Sequence, residues 1–279
     1  MIACYAMGGG LGHLTRARRV LQALGCASED AAIFSASPLA RGPGIVPVPR
    51  RLAHSRVEFS AGLKKTLRAL APSAVVVDAF PLGILGELAD PRVLPEVPLY
   101  HVARLLKWNA YREAFAGTPR KYDAILAVEK LTSAHQDFLG LHSKAFRTMD
   151  LAFQNEGVQE NPFEKSPVWL VVHSGPATEV DSLLSFSFKQ AKREGVVPHY
   201  VVVSPRALNL PAGVTRLAHP RAWELFPYAD RIVTGCGFNS MLEAAPWRSK
   251  HLFLPFDRRF DDQALRAQRT YKEPRVARG

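Results

Sequence analysis

Ala229-Asp230-Arg231-Ile232-Val233-Thr234-Gly235-Cys236-Gly237-Phe238-Asn239-Ser240-Met241-Leu242-Glu243-Ala244 is the stretch from which the fold of this 279-residue chain is read. Ala229–Val233 is a short apolar strand, Gly235 and Gly237 punctuate a turn, and a helix opens at Asn239-Ser240. The first backbone N–H groups of a helix have no intrahelical acceptor and point outward, which suits an anion. A pyrophosphate would rest on the Gly237 and Asn239 backbone and on the Ser240 hydroxyl. Glu243 follows about one helical turn after Ser240 and would accept the hydroxyls of a ribose. Ser-x-x-Glu is equally a capping box, which closes a helix start without any ligand. On these residues alone both readings stand.

Outward from this stretch, strands and helices alternate. Val168–His173 is an apolar strand, Ser174-Gly175-Pro176 a tight turn, and 177–194 an amphipathic helix. Strands follow at His199–Val203 and Val214–Leu217, then a short helix around Trp223–Phe226. His251–Leu254 is a strand ending at Pro255, and Asp261–Arg269 a helix. The tail Tyr271–Gly279 is basic and reads as frayed.

The first half has the same pattern. Residues 1–7 form a strand, Gly8-Gly9-Gly10-Leu11-Gly12-His13 a loop, and Leu14–Leu24 a helix stopped by Gly25. On that helix Leu14, Ala17, Val20, Leu21 and Leu24 share a face, with Arg16, Arg18 and Arg19 off it. Ala31–Ala36 is a second strand, 42–49 a Pro/Gly-rich loop with a short edge strand, and 56–71 a helix. Ala74–Asp78 is a continuous apolar run, as in a strand buried on both faces. Val97–Ala103 and Asp123–Val128 are further strands. Between them Lys107, Trp108, Tyr111, Arg112 and Arg120 form either a lid or a packed helix. Residues 150–166 lose all apolar period and read as a linker. The expectation is an α/β chain of two Rossmann-like domains facing a cleft, residues 1–155 and 165–279.

Composition narrows the function. The net charge is +11, and 25 of the 36 basic residues are arginine, which favours anionic partners such as phosphorylated substrates or an anionic membrane face. The basic residues are dispersed, with no aromatic platform between them, so nucleic acid is not the expected partner. No apolar run approaches the roughly 20 residues that span a bilayer. The N-terminus reads as a first strand rather than a signal peptide. Cys4, Cys26 and Cys236 are scattered, without zinc-site or disulfide spacing, and suit a reducing cytoplasm.

Further site candidates lie at strand ends. Gly8 to His13 is no dinucleotide fingerprint, because the frame would need glycine where His13 or Thr15 stands. A histidine at the mouth of a glycine loop can take a proton from a hydroxyl, and it can equally cap or pack at the helix start. Asp78 ends a parallel strand, as a site carboxylate or a loop anchor. Asp262 and Gln263 fall at a helix start, where they would bond sugar hydroxyls or compensate the helix dipole. No P-loop, nucleophile elbow or metal-ligand spacing is found, so neither a metal nor a bound cofactor is expected.

Together, Gly10-Leu11-Gly12-His13-Leu14-Thr15-Arg16, Asp78-Ala79-Phe80-Pro81-Leu82-Gly83, Gly237-Phe238-Asn239-Ser240-Met241-Leu242-Glu243 and Asp261-Asp262-Gln263-Ala264-Leu265-Arg266-Ala267 resemble the GT-B glycosyltransferases. The likeness is to the branch of the lipid II N-acetylglucosaminyltransferase and the bacterial predicted glycosyl transferases, and it covers most of the chain. It implies a metal-independent transfer from a nucleotide-diphospho-sugar, UDP-linked in the first instance, to an acceptor hydroxyl on a lipid or another glycan. It further implies His13 as acceptor-side base or orienting group. Asn239 and Ser240 would meet the diphosphate, Glu243 the ribose, Asp262 with Gln263 the donor sugar, and Ser174 and Gly175 the donor. A second acid, Asp261, precedes Asp262 and leaves open which carboxylate meets the sugar. The family's terminal helix, which closes back onto the first domain, is shortened or absent here. A cytoplasmic protein, peripheral at the inner membrane, is the corresponding location. In length and in its Gly-x-Gly-His-x-x-Arg loop the chain also resembles the nucleotide-sugar hydrolase of pseudaminic acid synthesis. A non-catalytic GT-B-like binding protein is the third reading.

Overall fold

The computed structural model describes residues 1–8, 10–49, 55–151, 160–164 and 166–272. The chain divides into two compact units, Met1–Leu151 with Arg259–Asp261, and Ala152–Arg258 with Asp262–Gly279. Most of the expected linker and the end of the basic tail lie outside the described residues.

The first unit runs β1 (Ile2–Tyr5), α1 (Leu11–Ala23), β2 (Ala31–Ser35), β3 (Ile45–Pro47), α2 (Arg56–Leu70), β4 (Ala74–Asp78), β5 (Leu99–Ala103), α3 (Trp108–Ala114), β6 (Ala124–Ala127), α4 (Ser133–Leu141) and β7 (Phe146–Thr148). Its sheet is parallel, in the order β3-β2-β1-β4-β5-β6-β7. The middle strands are apolar without alternation because helices cover both faces. Val75, Val76 and Val77 are each 1 % exposed or less; such burial stabilises by about 2 kcal/mol per side chain. Ser55 caps α2 by accepting from Glu58 N at 3.3 Å. Gly25, in the left-handed region at φ 71°, ends α1 as expected: Gly25 N bonds Gln22 O and Cys26 N bonds Leu21 O.

The second unit runs β8 (Val168–Val172), α5 (Ala177–Glu194), β9 (His199–Val203), β10 (Val214–Leu217), a 3₁₀ segment at Ala222–Tyr228, β11 (Arg231–Gly235), α6 (Phe238–Glu243), β12 (His251–Leu254) and α7 (Gln263–Lys272). Its five parallel strands are ordered β10-β9-β8-β11-β12. Trp169, Val171, Val180, Leu183 and Val202 form the core between β8 and α5.

Four local expectations change. β11 begins and ends two residues later than its apolar run, because Thr234 and Gly235 pair with Phe253 and Leu254 of β12. The following helix therefore opens at Phe238 with Gly237 as N-cap, and Ser240 lies inside it. The Ser240–Glu243 capping box is not formed. α1 begins at Leu11, which moves Gly12 and His13 from the loop into the first helical turn. On α1, Arg16 is 2 % exposed whereas Leu24 is 42 % exposed, the reverse of the helical-face reading. The Trp108–Arg112 segment is a packed helix: Trp108 and Tyr111 are buried, and Tyr111 Oη donates to Gly83 O at 2.8 Å and accepts from Leu82 N at 3.0 Å.

Candidate active site

Strand order reverses in the first unit between β1 and β4. Open parallel sheets bind ligands outside the carboxyl ends of their strands at such a switch point. His13, in the first turn after β1, and Asp78, the last residue of β4, meet there: Nδ1 of His13 lies 2.7 Å from Asp78 Oδ2. Arg16, one turn further along α1, donates through Nε to Asp78 Oδ1 at 2.6 Å and through Nη2 to Oδ2 at 2.7 Å. This is a bidentate guanidinium–carboxylate pair within a buried triad.

The partners assign the imidazole tautomer. Arg16 Nη2 is also 3.2 Å from His13 Nδ1, but guanidinium nitrogens only donate. That Nη2 already donates to Asp78 Oδ2, and the ionised carboxylate, the nearer partner of Nδ1, only accepts; Nδ1–H therefore donates to Oδ2, and Nε2 carries the lone pair. Burial would raise the Asp78 pKa, but Arg16 and the His13 hydrogen bond more than offset it and hold the carboxyl well below the usual range. Burial, the largest effect on His13, lowers its pKa; Asp78 opposes this, and Arg16 and Arg104 add to the lowering. A neutral, oriented imidazole results, as a general base requires.

The loops are shaped around this group. A Cβ at Gly8 would overlap the His13 ring, whereas one at Gly10 would meet open space. Ala79 is held at φ 64°, in the left-handed region that costs a non-glycine residue about 1 kcal/mol, immediately after Asp78. The next turn is fixed by a buried pair: Tyr5 Oη donates to Glu87 Oε1, and Glu87 Oε2 accepts from Leu85 N at 2.8 Å. Gly83, at φ 85°, leaves room for that carboxylate. Phe80 lies 5.5 Å from the His13 ring and 6.0 Å from that of Phe260. Arg104 pairs with Asp261. Phe260 and Asp261 belong to this first unit.

In the second unit the switch point lies between β8 and β11. His173, Ser174 and Gly175 leave β8, and Cys236 and Gly237 leave β11. His173 Nε2 is 2.6 Å from Glu179 Oε2, and Arg258 grips the same carboxylate at 2.6 and 2.5 Å. Gly175 is required sterically, since a Cβ there would overlap His173 Nε2 and Glu179 Oε2. Gly237 is different, because a Cβ there meets open space. Behind the β11–α6 turn, buried Arg266 of α7 donates to Cys236 O at 2.8 Å. Thr234 Oγ1 is 2.8 Å from His251 Nε2, and Arg248 joins His251 Nδ1 at 2.8 Å to Met241 O at 3.1 Å.

The remaining sequence candidates are placed as follows. Asn239, Ser240 and Glu243 lie on α6, in the unit that also carries Ser174 and Gly175. Asp262 stands just before α7 and accepts from Leu265 N through Oδ1 at 3.0 Å; Gln263 Oε1 accepts from Phe256 N at 3.0 Å. Asp261, the alternative sugar contact, is committed to Arg104. Arg16 and Arg266 stand in the quoted motifs without an expected role, and Glu179 and Arg258 are outside them; the structure joins all four to the two switch points. Among the described residues no three His, Cys, Asp or Glu side chains cluster as metal ligands.

Two parallel, helix-flanked sheets in one chain, each with its loops of interest at the switch point, decide the architecture. The fold is GT-B. No protein-family model and no curated protein matches the chain. Solved structures do. The GT-B neighbours include a spinosyn rhamnosyltransferase, SpnG, complexed with thymidine diphosphate, at TM-score 0.59 and 13% identity over 97% of this chain and 84% of that one. The glycosyltransferase SnogD from Streptomyces nogalater matches at 0.51 and 16% identity over 96% and 84%. A putative UDP-N-acetylglucosamine 2-epimerase from Listeria monocytogenes matches at 0.56 and 11% identity over 96% and 81%. Transferases and an epimerase thus share this GT-B likeness, and the chemistry has to be argued from the side chains.

Proposed function

We propose that the chain is a glycosyltransferase that moves a sugar from a nucleotide-diphospho-sugar, UDP-linked in the first instance, to an acceptor hydroxyl without a metal. The observation that carries this is the His13–Asp78–Arg16 triad at the switch point of the first unit. The acceptor O–H gives its proton to His13 Nε2. The oxygen attacks the anomeric carbon, and the bond from that carbon to the diphosphate breaks. Asp78 keeps the imidazole in the receiving tautomer and stabilises the imidazolium that forms, while Arg16 keeps Asp78 ionised. The second unit supplies the donor-binding groups, with Ser174, Gly175, Gly237, Asn239 and Ser240 toward the diphosphate and Glu243 toward the ribose. Asp262 and Gln263 are the sugar contacts carried by the resemblance. Asp262 Oδ1 and Gln263 Oε1 already bond backbone N–H groups, so Asp262 Oδ2 and the Gln263 amide nitrogen would be the sugar-facing atoms.

The net charge of +11 supports an acceptor bearing phosphate, a lipid or a glycan, and a peripheral seat on an anionic membrane face. No helix among the described residues is long and apolar enough to cross a membrane.

A panel of UDP, GDP, dTDP and their sugars tests the reading, first by thermal shift and then by turnover. Sugar transfer to an added acceptor, abolished in His13→Ala, is the expected result. Release of free sugar with no transfer to any acceptor would make the protein a nucleotide-sugar hydrolase with the same base. If no member of the panel raises the melting temperature, both enzymatic readings fail and a non-catalytic role stands.

A further inference from the structure

The second unit holds a His–carboxylate–Arg cluster with the same chemistry as the first, built from different parts of the chain. His173 leaves β8, Glu179 lies in the first turn of α5, and Arg258 follows β12. Glu179 takes Nε2 of His173 at 2.6 Å and is itself held by both Arg258 Nη atoms. Its charge is thus balanced by Arg258, and its part toward His173 is to fix the ring. The ring packs 5.3 Å from the Phe256 ring and over Gly235, where the missing side chain leaves it room: a Cβ there would stand 3.4 Å from its Cε1. Nδ1 is the nitrogen left for a ligand, and among the described residues no hydrogen bond engages it. The turn beside it is that of Ser174 and Gly175, and β11 ends next to it at Gly235.

We propose that His173 meets the donor diphosphate through Nδ1 and takes up one proton from solvent as it does so, with Glu179 and Arg258 as its positioning clamp. This rests on the reading of the second unit as a nucleotide-diphospho-sugar site and names the group that answers the phosphate charge. The charged groups facing His173 are Glu179 of α5, Arg258 after β12, and Arg206 after β9, whose Nε donates to Ser174 O at 3.1 Å. With one carboxylate and two guanidiniums around it, the imidazole is neutral in the empty site: burial lowers its pKa most, Glu179 opposes, and both arginines add to the lowering. A neutral Nδ1 that lacks the proton is an acceptor and repels phosphate oxygen. The protonated ring donates from both nitrogens, to Glu179 and to the phosphate. Binding and protonation are therefore linked, and each favours the other.

The test uses the full chain with UDP-glucose and dTDP-glucose, whose diphosphodiesters do not titrate near neutrality. Calorimetry in two buffers of different ionisation enthalpy counts the protons taken up. The expected result is close to one proton at pH 7.5 in the wild type and none in His173→Gln. Affinity should tighten up to about tenfold per pH unit as pH falls from 8 toward 6 in the wild type, and stay flat in the variant. If His173→Gln does not fold, ¹⁵N NMR of histidine-labelled wild type replaces it: saturating ligand should convert one ring to the doubly protonated form. Tight binding without proton uptake, or uptake that persists in His173→Gln, overturns this inference and leaves the nucleotide-sugar reading intact. No binding of either probe, with no shift across the wider nucleotide panel, overturns both.

Discussion

Asp78 stands 62 residues after Arg16 in the chain and receives two hydrogen bonds from it, at 2.6 and 2.7 Å, while holding His13 Nδ1 at 2.7 Å. One buried carboxylate thus serves two partners with different duties, and substitutions should separate them. Asp78→Asn leaves the Arg16 guanidinium, 2 % exposed, without its counter-charge. Breaking a buried pair in this way costs about 3–5 kcal/mol. His13→Ala removes the least buried member of the triad, its side chain 14 % exposed, and leaves the Arg16–Asp78 pair intact, so it should cost about 1 kcal/mol of stability while reducing turnover at least 100-fold. Chemical denaturation beside a turnover assay checks both. Equal loss of stability in the two variants would refute this division of roles.

The glycines of the two switch points differ in a way that alanine substitution can read. A Cβ at Gly10 or Gly237 meets open space, and neither residue has positive φ. Gly10→Ala and Gly237→Ala should leave stability within about 0.5 kcal/mol of the parent. Any loss of UDP-glucose affinity in Gly237→Ala then reports the close approach of the ligand. Gly175→Ala should instead lower the melting temperature, because the added carbon overlaps His173 and Glu179 in the empty protein. Unfolding curves of the three variants without ligand decide the matter.

Acid should destabilise the protein well before its carboxylates titrate. Burial lowers His101 to about 4, His135 to about 3 and His251 to about 3, from an ordinary 6.5. The unfolded chain therefore binds more protons below pH 6.5, so stability rises with pH through this window and is lost as pH falls. Each histidine contributes about 2 kcal/mol of that loss by pH 5. Asp78 acts in the same direction lower down: its folded pKa is depressed, so its contribution is present above its unfolded value near 3.8 and disappears beneath it. His135 stacks on Trp108 at 4.0 Å, and among the described residues no hydrogen bond reaches either ring nitrogen. His135→Phe should flatten the slope between pH 6.5 and 5, as measured by urea unfolding across that range.

Arg266 should behave as a brace of the β11–α6 turn. Its bond to Cys236 O, at 2.8 Å, comes from a side chain 5 % exposed. Arg266→Met removes the donor, and we expect at least a fivefold weaker apparent affinity for the nucleotide sugar with kcat changed less than twofold. Steady-state kinetics over a range of donor concentration would show otherwise if kcat falls and KM holds.

The β-strands of both sheets were largely legible in the sequence, because fully covered parallel strands read as unbroken apolar runs. β7 was not: Phe146–Thr148 is short and exposed, and gives no apolar signal. α6 opens at Phe238 rather than at Asn239-Ser240: Gly235 has little strand propensity and Thr234 breaks the apolar run, and their pairing with β12 draws both into the sheet. His13 and Asp78 could be named from their places at a loop and a strand end. Arg16 is legible as the last position of the Gly-x-Gly-His-x-x-Arg motif, but its role is not: a helical wheel assigns it to solvent, and nothing nearby announces a partner 62 positions away. Glu179 and Arg258, 79 positions apart, were hidden for the same reason.

The first unit borrows Phe260 and Asp261 from near the end of the chain. Phe260 lies 5.2 Å from Tyr111 and 5.6 Å from Phe115, and Asp261 pairs with Arg104. The ribosome therefore cannot finish the first unit when it finishes residue 151. Its aromatic cluster and its buried arginine wait until almost the whole second unit has been synthesised. A nascent chain halted short of residue 259 carries a first half that is paired in its sheet but unsealed, with Arg104 lacking its acid. Proteolysis of ribosome-bound chains stalled before and after residue 261 would reveal the step: the first unit should resist cleavage only once Phe260 and Asp261 have left the ribosome.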